Sequence, residues 1–252
     1  MFKIGEDKPV INPYEIVKKR VPSDKVLLFL TPRLFKEATK ILQDKKEVRF
    51  SGALFKSVEG YYNDSKVFIT LPFWGAPAAT AGLETLIAGG GKIFIMVGEA
   101  GALSPKLRIG DILIPTWGLR EEGTSYHYMP PNTIPKPDVK LAKALYNEVK
   151  EVKGRKKIRV LRGGIWSTDA IYRETKDKVA EYSRLGALGV DMEATALMTV
   201  ATYRGVRLAV AVAISDELYG DQWKAGFKTK KLKKAEKILV EASLKTIAKT
   251  KV

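Results

Sequence analysis

Short apolar runs rich in β-branched residues recur along the chain, and each has about the length of one buried strand. Polar residues do not alternate through these runs, which is typical of strands covered on both faces. We predict strands at residues 26–30, 67–71, 93–97, 112–115, 158–161 and 206–214.

Segments with helical periodicity lie between these strands. Residues 77–88 are rich in Ala and Leu and begin with a proline, which the first turn of a helix tolerates. Asp138 can cap the helix that follows it, and Gly205 can close a helix that starts at Met192. A Lys-rich amphipathic helix is predicted at residues 228–249. Strands that alternate with helices predict an α/β fold with a largely parallel sheet.

The one irregular section is residues 118–137, with Gly123, four prolines and the stretch EEGTSYHYMPP. It is too polar and too rich in proline to predict a strand or a helix. Loops of this length in compact domains are commonly functional. Since no linker interrupts the pattern, we predict a single domain over residues 1–252.

The amino-acid composition excludes several kinds of functional site and partner. The formal charge is +16, but the basic residues are spread along the chain without an aromatic-interleaved stripe, so we expect no nucleic-acid partner. The absence of cysteine excludes disulfides, thiolate metal ligands and a cysteine nucleophile. His127 is the only histidine, so a metal site with two histidine ligands is also excluded. No window approaches the roughly 18 apolar residues of a membrane span, and we expect a soluble cytoplasmic protein without a membrane partner.

Four polar or glycine-rich segments lie at the ends of predicted strands, where α/β sheets bind their ligands, and a fifth, GVDMEATAL, opens a helix with two acids. They are FWGAP (73–77), GEAG (98–101), STDAIYRE (167–174), GVDMEATAL (189–197) and ISDELYG (214–220). Each acid in them also has a structural interpretation. Asp191 and Glu193 are placed to complement a helix dipole, and Asp216 to cap the next segment. His127 can serve surface packing alone.

The segment GEAG combines two opposed signals. Gly98 and Gly101 just past a predicted strand are typical of a turn that brings backbone close to a phosphate. Glu99 between them would repel that phosphate.

Five stretches of the sequence resemble the nucleoside phosphorylase family, which includes purine nucleoside phosphorylases, uridine phosphorylases and nucleosidases. They are FWGAPAATAGLETLIAGGGK, MVGEAGALSPKLRIGDILIPT, EGTSYHYMPP, STDAIYRETKD and GVDMEATALMTVATYRGVRLAVAVAISD. The resemblance implies a three-layer α/β/α sandwich around a mixed, distorted central sheet. It also implies homo-oligomers, usually dimers assembled as a trimer of dimers, and cleavage of an N-ribosidic bond without a cofactor or a metal.

The resemblance gives several residues expected roles at the nucleoside. Glu193 should accept hydrogen bonds from ribose hydroxyls, Met192 should pack on the sugar, and Asp191 stands where many relatives have a glutamate. Asp216 matches the acid that purine-cleaving members use at the leaving base. Ile171 or Tyr172 is expected to stack on the base. Gly75, Gly98 and His127 lie in matching segments and are expected at the substrate site.

The sequence does not decide which base is released or whether phosphate or water accepts the ribosyl group. No match to the uridine branch's Gln-x-Arg is present, which favours purines, but EGTSYHYMPP is closer to that branch. At the expected phosphate site, Met96 and Glu99 replace an arginine and a hydroxyl residue, and Arg33 and Arg49 are the remaining candidates. We therefore expect phosphate as co-substrate, with two alternatives: hydrolysis by water that Glu99 activates, or a nucleoside-binding module without catalysis.

Overall fold

The computed structural model describes residues 4–5, 8–50 and 54–251 and contains a central mixed sheet between layers of helices. Its strands are β1 (Lys25–Phe29), β2 (Gln43–Glu47), β3 (Leu54–Tyr62), β4 (Ser65–Pro72), β5 (Ile93–Ala102), β6 (Ile112–Glu121), β7 (Val160–Thr168), β8 (Ala187–Asp191), β9 (Arg207–Glu217) and β10 (Lys224–Ala225). Its α-helices are α1 (Pro13–Ile16), α2 (Pro32–Ile41), α3 (Ala76–Ala88), α4 (Val139–Lys153), α5 (Lys176–Arg184), α6 (Ala194–Arg204) and α7 (Lys230–Lys249). Two 3₁₀ turns lie at Thr124–His127 and Ile171–Arg173.

The sheet has an open half and a closed half. In the open half, β1 pairs in parallel with β4 and β5, and β3 and β2 extend the edge in antiparallel fashion. In the other half, β5 pairs with β9, β9 with β6, β6 with β7, β7 with β8, and β8 returns to β5. These pairings close a five-stranded ring, so the expected mixed, distorted sheet is confirmed.

Two apolar layers cover the sheet because successive side chains on a strand point to opposite faces. Leu27 and Phe29 pack with α2, α4 and α7, whereas Val26 and Leu28 pack with α3 and α6. Strand β5 repeats this division, and all of these side chains are fully buried. Each contributes about 1.5–3 kcal/mol through burial. The expected three-layer α/β/α arrangement is confirmed.

Local sequence signals set the ends of several helices. The Asp138 carboxylate accepts a hydrogen bond of 2.6 Å from the Leu141 N–H and caps α4, as predicted. Gly205 adopts the left-handed conformation (φ 67°) and ends α6, also as predicted. Helix α3 begins at Ala76, one residue before its predicted start.

Four strands continue well past their predicted ends. Strand β5 extends to Ala102, β6 to Glu121, β7 to Thr168 and β9 to Glu217, because pairing with neighbouring strands of the ring continues through these residues. The prediction that Gly98 and Gly101 form a turn is therefore wrong, since both lie within β5. A Cβ at Gly101 would clash with the end of the Leu218 side chain, so a larger residue there would need Leu218 to move.

The prediction for residues 118–137 is wrong in its first part. Strand β6 continues through Glu121 because it stays paired with β7 up to Thr168. A 3₁₀ turn then forms at Thr124–His127, and the proline-rich remainder up to Asp138 is irregular as expected.

Two features are absent from the described ranges. No helix in those ranges has the length and apolar character needed to cross a bilayer. Within the same ranges, no three His, Asp or Glu side chains form a group that could hold a metal ion.

Candidate active site

Four polar positions lie at or beyond the carboxyl-terminal halves of neighbouring parallel strands. Thr31 follows β1, Gly75 follows β4, and Glu99 and Asp216 lie in the second halves of β5 and β9. Since β1, β4, β5 and β9 run in the same direction, these positions share one edge of the sheet. Helix α6 adds Glu193 at its start, and together these positions form the candidate active site.

The Glu193 carboxylate is held across the site by backbone. It accepts a hydrogen bond of 2.8 Å from the Gly75 N–H and is only 7% exposed. Gly75 has φ +90°, a conformation that other residues rarely adopt. Burial, and then the negative charge of Asp191, raise the pKa of the Glu193 carboxyl to about 8. The Met192 backbone N–H also donates to this carboxylate, and no ion pair engages Glu193 among the described residues.

Asp191 organises the start of α6. Its Oδ2 accepts hydrogen bonds from the N–H groups of Ala194 (2.8 Å) and Glu193 (3.2 Å). Its Oδ1 accepts from the Ser167 hydroxyl, whose oxygen in turn accepts from the Thr195 N–H. Burial raises the pKa of Asp191 to about 6, and these hydrogen bonds oppose the rise. Asp191 therefore has the helix-capping contacts that its position indicated, and both of its oxygens are engaged within the protein.

Asp216 is fixed in orientation by two donors. The Trp223 Nε1–H donates to its Oδ2 at 2.8 Å, and the Ser215 hydroxyl lies 2.6 Å from its Oδ1. The Asp216 Oδ2 also passes close to Gly101, where a Cβ would lie 3.1 Å away. The missing side chain at Gly101 thus makes room for the carboxylate as well as for Leu218.

A further acid, Glu174, lies near Asp216 and Asp191. Burial raises the pKa of the Glu174 carboxyl to about 7, and the charges of Asp216 and Asp191 add to the rise. The site therefore brings several carboxyl groups together. Burial and mutual repulsion disfavour their ionised forms. Such perturbed groups cluster at functional sites.

Glu99 forms a buried cluster with two residues from helices. The Arg33 guanidinium lies 3.2 Å from Glu99 Oε1 and 2.7 Å from Glu236 Oε1, and its Nη1 donates to the Phe227 carbonyl at 2.9 Å. Burial and hydrogen bonding to Glu236 raise the pKa of Glu99 to about 7, against the opposing charge of Arg33. Arg33 is thus brought to Glu99 as an ion-pair partner.

The other residues expected at a phosphate site are not part of this cluster. Arg49 is exposed beyond β2, where its carbonyl accepts a hydrogen bond from Lys19, and among the described residues no ion pair joins it to Glu99 or Glu236. Met96 is buried in the apolar layer beneath α3 and α6. A Cβ at Gly98 would meet only ordinary van der Waals contacts, so packing does not require glycine there.

The expected base-stacking and loop residues lie at the rim. Ile171 is 52% exposed and Tyr172 is 97% exposed, while Met192 is half-buried between Asp191 and Glu193. His127 is exposed and lines a cavity of about 480 Å³ together with Asp169 and the first turns of α3.

Arg120 holds the irregular loop after β6. It donates to the Ser125 hydroxyl (2.7 Å) and to the carbonyls of Pro130 (2.6 Å), Met129 (3.0 Å) and Thr133 (3.3 Å). The buried Glu122 accepts from the Ser125 N–H and the Thr195 hydroxyl, and so joins this loop to α6. The loop is therefore fixed by a buried polar network.

Sequence reasoning missed six residues of this site: Arg120, Glu122, Ser167, Glu174, Trp223 and Glu236. One signal was available for Glu236, which stands four positions after Leu232 and three before Leu239 on the apolar face of α7. An acid on such a face needs a buried partner. We find no comparable sequence signal for Trp223.

The fold and the acidic side chains at the sheet edge agree with a family match. The model of the Phosphorylase superfamily matches residues 26–248. This chain therefore belongs to the Phosphorylase superfamily, and the family resemblance read from the sequence is confirmed.

Individual relatives are distant. The chain is 26% identical over 204 residues to a guanosine phosphorylase of Halorubrum lacusprofundi, covering 81% of this chain and 83% of that protein. It is 27% identical over 232 residues to a uridine phosphorylase of Thermococcus kodakarensis, covering 86% and 82%. The structure of purine nucleoside phosphorylase from Toxoplasma gondii superposes with a TM-score of 0.80 at 21% identity, covering 93% and 92% of the two chains, and shares the fold.

Proposed function

We propose that this protein is a nucleoside phosphorylase. It cleaves the N-ribosidic bond of a nucleoside, with a purine base favoured over uracil, and transfers the ribosyl group to phosphate. The products are the free base and ribose 1-phosphate. The observation that carries the proposal is the buried Glu193 carboxylate, held by the Gly75 N–H at the same sheet edge as Asp216.

Glu193 suits the sugar in this proposal. A buried carboxylate accepts strong hydrogen bonds from ribose hydroxyls. As the N-ribosidic bond breaks, positive charge develops on the sugar, and the interaction with the carboxylate strengthens. Without a ligand, burial disfavours the ionised form of Glu193. Positive charge on the sugar would favour that form, so the carboxylate suits a role that begins when the sugar is bound.

Asp216 suits the leaving base. Its two donors, Trp223 and Ser215, fix the carboxyl group at the strand end, where it can bond to the base nitrogen that gains electrons. A general acid at that nitrogen stabilises the departing base. This role distinguishes purines, whose imidazole ring offers such a nitrogen, from uridine.

Phosphate as acceptor is supported by the relatives, which are a guanosine phosphorylase and a uridine phosphorylase. Phosphate is here a co-substrate, and we propose no resident cofactor. We also propose a homo-oligomer. Large exposed aromatic side chains in the segments that carry the site support it, because such surface commonly covers a substrate or a second subunit: Phe73, Trp74, Tyr172, Trp223 and Phe227.

The experiment measures base released from inosine, adenosine, methylthioadenosine and uridine, each with and without phosphate. We expect purine release that requires phosphate and yields ribose 1-phosphate. Asp216→Asn should reduce purine cleavage far more than uridine cleavage, and the exposed Asp221→Asn is the matched control. Equal losses for purine and uridine would contradict the role of Asp216.

A second candidate function is hydrolysis, and Glu99 is the observation that favours it. A buried carboxyl with a pKa of about 7 is suited to take a proton from water near neutral pH. Base release at the same rate with and without phosphate would support hydrolysis and contradict the phosphorylase proposal. In that case Glu99→Gln should remove most of the turnover. No release under either condition would favour a nucleoside-binding module without catalysis.

A further inference from the structure

Asp216 is oriented in part by Trp223, a residue that packing does not fix in place. The Trp223 indole N–H donates to Asp216 Oδ2 at 2.8 Å, yet the residue is 63% exposed. It ends the loop between β9 and β10, residues 218–223. Strand β10 has two residues, and among the described strands it pairs only with β9. So short a ladder holds a loop weakly, so side chains must fix the position of this one.

Glu217, the last residue of β9, provides those contacts. Its Oε2 accepts a hydrogen bond of 2.9 Å from the Tyr219 hydroxyl, within the loop. Its Oε1 accepts one of 3.0 Å from the Ile109 N–H, in the segment between β5 and β6. The Lys224 ammonium lies 3.4 Å from Oε2, but this side chain is 66% exposed, so the ion pair adds little. The buried Glu217 carboxylate thus joins the loop to the body of the protein.

The environment of Glu217 keeps it ionised at neutral pH. Burial alone would raise the pKa of its carboxyl, but the hydrogen bonds from Ile109 and Tyr219 and the charge of Lys224 hold the pKa below its usual value. A carboxylate accepts stronger hydrogen bonds than a neutral group does. The loop is therefore held by charge-assisted hydrogen bonds.

Glu217 does not face the site itself. Successive side chains of a strand point to opposite faces, so Asp216 faces the site while Glu217 faces the segment that contains Ile109. The returning chain is also held close to β9, because a Cβ at Gly226 would lie 2.5 Å from the Ser215 carbonyl oxygen. Glu217 and Gly226 thus set where the loop leaves β9 and where it returns, and Trp223 lies between these two points.

We propose that Glu217 is a positioning residue for the leaving base: it fixes the β9–β10 loop so that Trp223 aligns Asp216 with the base nitrogen. This inference rests on the proposed function, in which Asp216 acts on a leaving purine. Without the Glu217 carboxylate the loop loses its two hydrogen bonds, the indole moves, and Asp216 loses a donor that fixes its direction.

Two purine nucleosides distinguish misalignment of Asp216 from general damage to the site. When the N-ribosidic bond of inosine breaks, the bonding electrons go to the base, and hypoxanthine leaves as a neutral molecule only if a proton reaches it. 7-Methylinosine already carries a positive charge on its base, so 7-methylhypoxanthine leaves neutral without a proton. Misalignment of Asp216 therefore slows inosine cleavage more than 7-methylinosine cleavage, whereas damage to the sugar or phosphate site slows both.

The experiment measures kcat for inosine and for 7-methylinosine at saturating phosphate. For Glu217→Ala we expect kcat for inosine to fall on the order of tenfold, and kcat for 7-methylinosine to stay within about a factor of two of wild type. Asp216→Asn is the reference and should show the same pattern with a larger loss for inosine. Glu181→Ala, at an exposed position, is the matched control and should behave as wild type. Equal losses for the two nucleosides in Glu217→Ala, or no loss for inosine, would overturn the proposal.

Tyr219→Phe is the second variant, and it replaces Glu217→Ala in the test if that protein fails to fold. It removes one hydrogen bond of the loop and leaves β9 unchanged. We expect kcat for inosine to fall about twofold to fivefold, again without a loss for 7-methylinosine. Glu217→Gln, which keeps one acceptor oxygen, should lie between wild type and Glu217→Ala. A Tyr219→Phe protein that cleaves both nucleosides equally slowly would contradict the positioning role.

Proton exchange at the tryptophan indole groups tests the contact without any reaction. In protein that contains ¹⁵N-labelled tryptophan, the Trp223 indole N–H is identified by its absence in Trp223→Phe. Glu217→Ala should speed its exchange with solvent by about tenfold, while the buried Trp166 N–H, which donates to Glu121, should exchange as in wild type. Unchanged exchange at Trp223 would overturn the inference whatever the substrate.

Failure of the proposed function gives a different result. If no nucleoside is cleaved, the proposed function is wrong and the positioning of a leaving base falls with it, although faster exchange at Trp223 would still show that Glu217 holds the loop. If Asp216→Asn gives the expected pattern and Glu217→Ala slows neither nucleoside, the function holds and the role of Glu217 is wrong.

Discussion

The Glu193 carboxylate accepts a hydrogen bond of 2.8 Å from the backbone N–H of Gly75, 118 residues earlier in the chain. This contact joins the start of α6 to the turn before α3, and so connects the two helices that cover one face of the sheet. It also fixes the direction in which the buried carboxylate points. The proposed binding of ribose depends on this geometry.

Glu193→Gln is the most direct test of that dependence. The amide keeps the size of the side chain and an acceptor for Gly75, but it cannot offer a negative charge to the sugar. We expect kcat/KM for nucleoside cleavage to fall by about a hundredfold or more. Steady-state kinetics, with the exposed Glu181→Gln as control, measures this loss. Turnover within a factor of about three of wild type would contradict the role of Glu193.

The same substitution should stabilise the protein at high pH. The pKa of Glu193 rises from 4.5 to about 8 on folding, so the native state binds more protons than the unfolded state in this window. Stability therefore falls as pH rises from 4.5 through about 8, and the full penalty is present above that range. We expect Glu193→Gln to unfold at a temperature a few degrees above wild type in alkaline buffer, with a smaller difference in acid. A lower Tm for the variant in alkaline buffer would refute the burial argument.

Ser167 should act through Asp191. Its hydroxyl donates to Asp191 and its oxygen accepts from the Thr195 N–H, so Ser167→Ala leaves both buried partners unsatisfied. We expect a loss of about 1–3 kcal/mol in the free energy of unfolding and a higher KM for the nucleoside. Chemical denaturation and kinetics test this, with the half-exposed Ser183→Ala as control. An unchanged free energy of unfolding would show that water replaces the hydroxyl.

Trp223 should matter through its N–H. Trp223→Phe keeps an aromatic ring but removes the 2.8 Å donor to Asp216 Oδ2. If Asp216 acts on a purine, we expect the kcat for inosine to fall on the order of tenfold while any uridine cleavage changes little. Equal effects on both substrates would indicate that the indole contributes packing only.

Arg120 should control the order of the loop after β6. Arg120→Gln removes donors to three carbonyls and to Ser125, and we expect it to cost about 2–4 kcal/mol of stability. Hydrogen exchange of residues 124–133 should accelerate strongly, while Arg162→Gln, an exposed position on the neighbouring strand β7, should leave it unchanged. Unchanged exchange in Arg120→Gln would contradict the assigned role.

The sequence predicted helices α3, α4, α6 and α7 and strands β1 and β4 of the open half, but not β2, β3, α2 or α5. Asp138, Gly205 and the apolar periodicity of residues 77–88 act locally, so their effect could be inferred from neighbouring residues. The second half of β5 could not be inferred in this way. Its glycines are typical of a turn when only the sequence is considered. They lie in a strand because residues distant in the chain, in β8 and β9, pair with them.

The candidate site follows the same division. The segments that contain Gly75, Glu99, Glu193 and Asp216 could be selected from the sequence because each follows or ends an apolar run. Their partners Trp223 and Glu236 could not, because these contacts depend on where a loop and α7 pack. The pairing of Glu99 with Arg33 was open from the sequence and is present in the structure.

Phosphorus NMR of the purified protein, incubated with inosine and phosphate, detects the transfer of ribose to phosphate itself. We expect a growing ribose 1-phosphate resonance, matched in amount by hypoxanthine, and a far slower growth of that resonance with Glu193→Gln. Hypoxanthine released without ribose 1-phosphate, or no change with any nucleoside tested, would contradict it.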